Sequence, residues 1–410
     1  MKFMKPRLHR KPSQPGYRHR AITFTISLVL PFTPLLIPAI ASAQQQCTSG
    51  VPADTAAIET QASWVDTFRE TTDFATGAGV KVAIIDTGIS PHPRLPEIHP
   101  GPDLVPNAPG SSTEDCDGHG TIVASVLAAR DTGDGIRGVA PDVELLSIRQ
   151  TTAATQRDTE HQGSLATLID AINAAVDAHA DIINLSLVAC IPRTLLVDTS
   201  ALEHALARAE QANILVVAAA GNQSPQCSSD VQVFPAHFDT VIAVSAHNSH
   251  WEIADYALTS SERFVSATGV IAAATSFDSD AIIMGTGSIE DPQPFQGTSF
   301  ATPVITGTAA LLRQRFPHES AAAIRQRIYT SADDFTFAVN PARTLTATST
   351  DPHKITQYYV PESVTRDRSS ATQPAASAQS CTPLTLAALI IISVWGVIAL
   401  IIRWLRHDHR

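Results

Sequence analysis

Charge is scarce in this chain. Only 16% of its 410 residues are Asp, Glu, Lys or Arg, against a usual ~25%, and the formal net charge is −11. Such a chain lacks the basic face that neutralises phosphates, which excludes nucleic acid as a partner. Cysteine is sparse too, with five residues. No two of them form a Cys-X-X-Cys pair, so no zinc site and no cofactor is expected. No internal repeat of useful length is present. Acid is missing altogether from residues 1–43, which carry seven Lys and Arg. Apolar residues, by contrast, make up 44%, enough for a large core, and this excludes global disorder.

The acid-free N-terminus reads as an export signal over residues 1–43. Met1–Arg20 is basic, Ala21–Ile40 is apolar, and Ala41-Ser42-Ala43 supplies a small-residue cleavage pattern. Pro31, Pro34 and Pro38 make an uncleaved anchor helix the poorer reading, because each removes a helix donor. At the other end, Leu384–Ile402 is an uncharged apolar run. As a helix it is about 28 Å long, close to the ~30 Å hydrocarbon core of a bilayer. Arg403 and Arg406 follow at once, as a cytoplasmic stop should. The expectation is a single-pass protein of the cell membrane, its body on the extracytoplasmic side and a tail, 403–410, inside. Residues 338–383 are expected to link the two, and 361–382 are rich in Ser, Ala, Thr, Pro and Gln. Cys47, Cys116, Cys190 and Cys227 fall in the exported body, where disulfides are permitted, and spacing alone leaves three pairings open. Cys381 is left over beside the membrane.

Residues 44–79 form a short N-terminal extension, and 80–337 the body. There, apolar runs at Val80–Ile85, Val143–Ile148, Asp181–Leu187, Ile214–Ala219 and Val241–Ser245 predict strands. Helical spacing at His119–Arg130, Leu165–Ala178, Ala201–Ala212, Phe300–Phe316 and Glu319–Tyr329 predicts helices. Alternation of this kind implies an α/β fold, a parallel sheet between helices.

Three segments place a reactive side chain at a strand end or a helix start. Val82-Ala83-Ile84-Ile85-Asp86-Thr87-Gly88 is an apolar strand ending in a carboxylate. Asp117-Gly118-His119-Gly120-Thr121 flanks an imidazole with two glycines, which lets other backbone come close. Gln296-Gly297-Thr298-Ser299-Phe300-Ala301-Thr302-Pro303 opens a buried helix with a serine, and Pro303 is expected in its first turn. A hydroxyl nucleophile needs a base, and the base needs a carboxylate to orient it. Asp86, His119 and Ser299 supply the three. The start of the helix offers backbone N–H to a developing oxyanion, and Asn222, after Ala220-Gly221, offers a side-chain amide.

Single features read otherwise when taken alone. An apolar strand ending in Asp-Thr-Gly also marks aspartic proteases, but the second such triplet, Asp131-Thr132-Gly133, follows Ala-Ala-Arg and comes too soon for two lobes. His92, His99 and His161 lack a metal-ligand spacing. The acids at 113–117, and Asp131 and Asp134, read as solvated loop charges.

Together the segments VAIIDTG, DGHGTIVAS, AAAGN and GTSFATP, in this order, resemble the subtilisin-like serine proteases over about Val80 to Tyr329. The resemblance implies a sheet of about seven strands, a triad of Asp86, His119 and Ser299, and Asn222 in the oxyanion hole. It also implies that a protein or peptide substrate is held at Leu185, Ser186 and Leu187 on one side and Ala219, Ala220 and Gly221 on the other. One departure is plain: where many relatives have Ser-Leu-Gly-Gly, this chain runs Ser186-Leu187-Val188-Ala189. The order of signal, extension, catalytic body, linker, single helix and basic tail is similar to the mycosins, membrane-anchored proteases of type VII secretion systems. That likeness implies Cys47–Cys116 and Cys190–Cys227 disulfides and an extension that wraps the body. It also implies membrane subunits of a secretion complex as partners. A mainly structural role within that complex, with proteolysis secondary, is the alternative.

Overall fold

Alternation along Lys81–Asp86 (β1) decides the architecture. Val82 and Ile84 point into one apolar core, Ala83 and Ile85 into another, and all four are fully buried. A strand with both faces buried must lie inside a sheet covered twice. The computed structural model describes residues 47–105, 110–152, 163–228, 230–248, 252–259 and 263–347. The expected export signal, the expected linker from 348 on, the membrane run, the tail and Cys381 lie outside the described residues; 338–347, expected as the start of that linker, instead carries a helix packed on the body.

Six more strands join β1: Ile98–Asp103 (β2), Glu144–Arg149 (β3), Ile182–Leu185 (β4), Leu215–Ala219 (β5), Val241–His247 (β6) and Phe264–Thr268 (β7). All neighbours are parallel, in the order β7-β6-β5-β4-β1-β3-β2. The expected sheet of about seven strands is therefore present. The two edge strands were not predicted. In β2 the sequence Ile-His-Pro-Gly-Pro-Asp has no strand pattern, and its prolines are tolerated because an edge needs donors on one side only.

The N-terminal segment contributes Thr55–Asp66 (α1), with Asp54 accepting from the Ala57 N–H at 2.8 Å. His119–Ala128 (α2) and Thr298–Arg315 (α5) pack on the sheet face that carries Val82 and Ile84. Leu165–Asp177 (α3) and Ser200–Gln211 (α4) cover the other. Ala321–Ser331 (α6) and Pro341–Thr346 (α7) close the α5 side through Ile324, Ile328 and Leu345. Among the described residues no helix is long and apolar enough to cross a membrane.

Residues of the extension lie on the body. Gly50–Pro52 pairs antiparallel with Ile282–Gly287, and Val65 and Phe68 are buried in the main core. Cys47 is bonded to Cys116 and Cys190 to Cys227, the pairing implied by the mycosin likeness. The first bridge closes 69 residues of sequence, and a loop of that length is held by about 4 kcal/mol of chain entropy. Replacing both Cys47 and Cys116 by Ser is expected to lower unfolding free energy in urea by a figure of that order. An unchanged midpoint would show that the bridge carries no stability.

Asp131 stays exposed in its loop, as expected, but Asp134 is not a loose charge. Asp131 Oδ1 accepts from the Gly133 and Gly135 N–H groups, and Asp134 forms a two-point ion pair with Arg94 at 2.9 and 2.5 Å. That pairing depends on a contact across 40 residues, which spacing alone does not show.

Candidate active site

The carboxyl ends of parallel strands collect functional groups because the connecting loops open there. Asp86 ends β1, the chain leaves β5 for Asn222, and α2 and α5 start beside them. His119 is the first residue of α2. Its neighbours must be small: a Cβ on Gly120 would lie 2.1 Å from the Gly88 carbonyl oxygen, and one on Gly118 2.3 Å from the Phe277 ring. Gly118 also has φ +80°, which side chains disfavour.

Asp86 is fully buried and its Oδ1 lies 2.6 Å from His119 Nδ1. The same oxygen accepts from the Thr87 N–H at 2.8 Å. An acceptor at Nδ1 places the proton there and leaves Nε2 as the base. Burial alone would lower the His119 pKa, but the Asp86 charge and hydrogen bond, with weaker help from Asp115 and Asp117, outweigh it and raise the pKa.

Ser299 is the second residue of α5 and is partly exposed. Gly297 gives the measure of the space around it. A Cβ built there would lie 3.0 Å from Ser299 Oγ, 3.1 Å from Asn222 Nδ2 and 3.7 Å from the Ser299 nitrogen. Hydroxyl, amide and helix-start N–H therefore border one small volume. Asn222 Oδ1 accepts from the Thr298 N–H at 3.0 Å, which turns Nδ2 toward that volume. The ring of Phe300, the next residue, lies 5.2 Å from the His119 ring, centroid to centroid. The four residues expected to act together are thus gathered at one end of the sheet, although Ser299 Oγ has no hydrogen-bond partner among the described residues.

The six residues expected along the substrate divide. Leu185 is paired on both sides, to β1 and β5, and its side chain is fully buried. Ala219 is buried in β5, the Ala220 N–H is bonded to the Val244 carbonyl, and Gly221 uses both its N–H and its carbonyl. Ser186 and Leu187, with Val188, are different. Among the described residues their backbone groups have no partner, so they form an open edge beside Ser299.

The acids at 113–117, expected as a solvated loop, include one that is not. Asp115 is buried, with Oδ1 accepting from Thr87 Oγ1 and the Gly118 N–H and Oδ2 from the Thr121 N–H and Oγ1, all at 2.7–2.8 Å. Burial pushes its pKa up to about 6 against the pull of those bonds. It joins the end of β1 to the start of α2. Its position four residues before His119 was the available signal. Asp117 also has a partner, Thr152 Oγ1 at 2.7 Å.

Pro303 is the sixth residue of α5, not part of its first turn, because the helix begins at Thr298. Among the described residues no group of three or more His, Cys, Asp or Glu is placed to hold a metal ion.

Mycosin-4 of Mycobacterium tuberculosis is 38% identical over 276 residues, covering 62% of this chain and 60% of that protein. The matched part thus spans less than two thirds of that curated relative. The structure of the MycP3 protease from the type VII (ESX-3) secretion system superposes with a TM-score of 0.65 at 28% identity, covering 73% of this chain and 92% of that one. A chain in the structure of an intact ESX-5 inner membrane complex superposes with a TM-score of 0.66 at 26% identity, covering 86% and 94%. The model of the subtilase family of peptidases matches residues 77–359, and this chain belongs to that family.

Proposed function

We propose that the protein is a subtilisin-like serine endopeptidase of the mycosin kind, acting outside the cytoplasmic membrane as part of a type VII secretion complex. The observation that supports the activity is the 2.6 Å Asp86–His119 pair at the same end of the sheet as a volume bordered by Ser299 Oγ and Asn222 Nδ2.

In this reading a peptide strand adds to the open edge at Ser186–Val188. His119 Nε2 takes the proton of Ser299 Oγ as the oxygen attacks the peptide carbonyl carbon. The new oxyanion accepts from Asn222 Nδ2 and the Ser299 N–H. Asp86 holds the imidazolium, which gives its proton to the leaving amine, and water then releases the acyl group from Ser299. A fluorophosphonate probe is expected to label the wild type and to leave Ser299→Ala unlabelled. Equal labelling of both would refute the assignment.

The membrane anchor rests on Leu384–Ile402 and its flanking arginines. The likeness to a chain of an ESX-5 inner membrane complex favours membrane subunits as partners. It also favours the second reading, a mainly structural role. The two separate when secretion is compared between Ser299→Ala and a strain lacking the protein. Secretion that survives the point variant alone supports the scaffold, and equal loss supports catalysis.

A further inference from the structure

A proline inside a helix removes one N–H and leaves the carbonyl four residues earlier without its usual donor. In α5 that proline is Pro303, and the carbonyl deprived is that of Ser299. This carbonyl is not left bare. Ser186 Oγ lies 2.8 Å from it.

The bond has a defined direction. Asn184 Nδ2 donates to Ser186 Oγ at 3.0 Å, so the hydroxyl proton is free to point at the Ser299 carbonyl, which can only accept. Asn184 is itself fixed, since its Oδ1 accepts from Thr306 Oγ1 at 2.8 Å. Asn184 and Thr306 are fully buried and Ser186 nearly so. The end of β4 is thus tied to α5 twice, at Thr306 and at Ser299, on either side of Pro303. The residue that makes the upper tie also begins the open edge.

We propose that Ser186 is a positioning residue that holds Ser299 by its carbonyl, in place of the helix bond that Pro303 cannot make. The substrate edge and the attacking hydroxyl are then set by one chain of hydrogen bonds, Thr306 to Asn184 to Ser186 to Ser299. A hydrogen-bonding serine in the substrate strand acts here through its side chain on the nucleophile, not on the peptide. This rests on Ser299 being the nucleophile.

The test is a double-mutant cycle on the full chain, read by the rate of fluorophosphonate labelling and by kcat and KM on a peptide. Ser186→Ala is expected to slow labelling and kcat about tenfold, the scale of one lost hydrogen bond, with KM changed less than twofold. In a Pro303→Ala background, where the helix N–H is restored, the same Ser186→Ala change is expected to cost less than twofold. If Ser186→Ala alone fails to accumulate, the double variant carries the test: it is expected to accumulate and to label within twofold of Pro303→Ala. Labelling of Ser186→Ala at the wild-type rate overturns the proposal. So does an equal loss in both backgrounds, or a double variant that fails to accumulate where Pro303→Ala does. A wild type that takes no label refutes the nucleophile itself, a different failure.

Discussion

His119→Ala is expected to lower kcat on a peptide substrate on the order of 10⁶-fold, the scale of a base knockout in a triad that acts as a unit. The imidazole is the base this mechanism uses, and its ring lies 5.2 Å from that of Phe300, the residue after Ser299. Without it the hydroxyl keeps its proton at neutral pH. The fold should survive. The side chain is 28% exposed, and the packing at the start of α2 depends on Gly118, Gly120 and Asp115, which remain. Two controls make the result specific. Circular dichroism should be unchanged, and a variant lacking both His119 and Ser299 side chains should be no slower than either single one. A residual rate from Asn222 and the Ser299 N–H should persist in all three, since neither donor is touched. A loss below about a hundredfold, or losses that add in the double variant, would remove His119 from the role of base.

The groups proposed to react were legible because each sits where a short-range pattern breaks. An all-apolar strand ends in Asp86, two glycines bracket His119, and Gly297 precedes a buried helix. The core strands were legible for a related reason: burial on both faces leaves unbroken Val, Ile and Ala runs. Edge strand β2 has no such run, and α7 is six residues long, too short for a periodic pattern. The extension's helix α1 went unread in a segment expected to wrap the body but assigned no elements. Asp115 was misjudged, and a second contact of Ser186 missed, for a deeper cause. An acid in a loop reads as solvated until a fold surrounds it with four donors. A serine in a substrate strand reads only as a substrate contact until α5 brings a carbonyl to its hydroxyl as well. Both meanings arise from contacts across the chain, and Ser186 and Ser299 are 113 residues apart.

Asp86→Asn is expected to lower kcat about 10⁴-fold while leaving the fold intact, the loss typical when the orienting carboxylate of a triad becomes an amide. The geometry gives the reason. Asp86 Oδ1 accepts from both His119 Nδ1 and the Thr87 N–H, while Oδ2 is buried with no hydrogen-bond partner. An asparagine that keeps its oxygen at the first position buries its amide N–H groups at the second without an acceptor, and it brings no charge to the imidazolium. Turned the other way, the amide opposes the Thr87 N–H and donates to Nδ1, which moves the ring proton to Nε2 and destroys the base. The pH profile supplies an independent sign. In the proposed mechanism His119 works as a neutral base, so kcat/KM is expected to fall as pH drops through its pKa, which the Asp86 charge raises against the effect of burial. With that charge gone, burial prevails, the pKa falls, and the acid limb of the variant's small residual activity moves to lower pH. A limb that stays in place, with kcat within tenfold of the wild type, would mean that the 2.6 Å contact serves the fold and not the reaction.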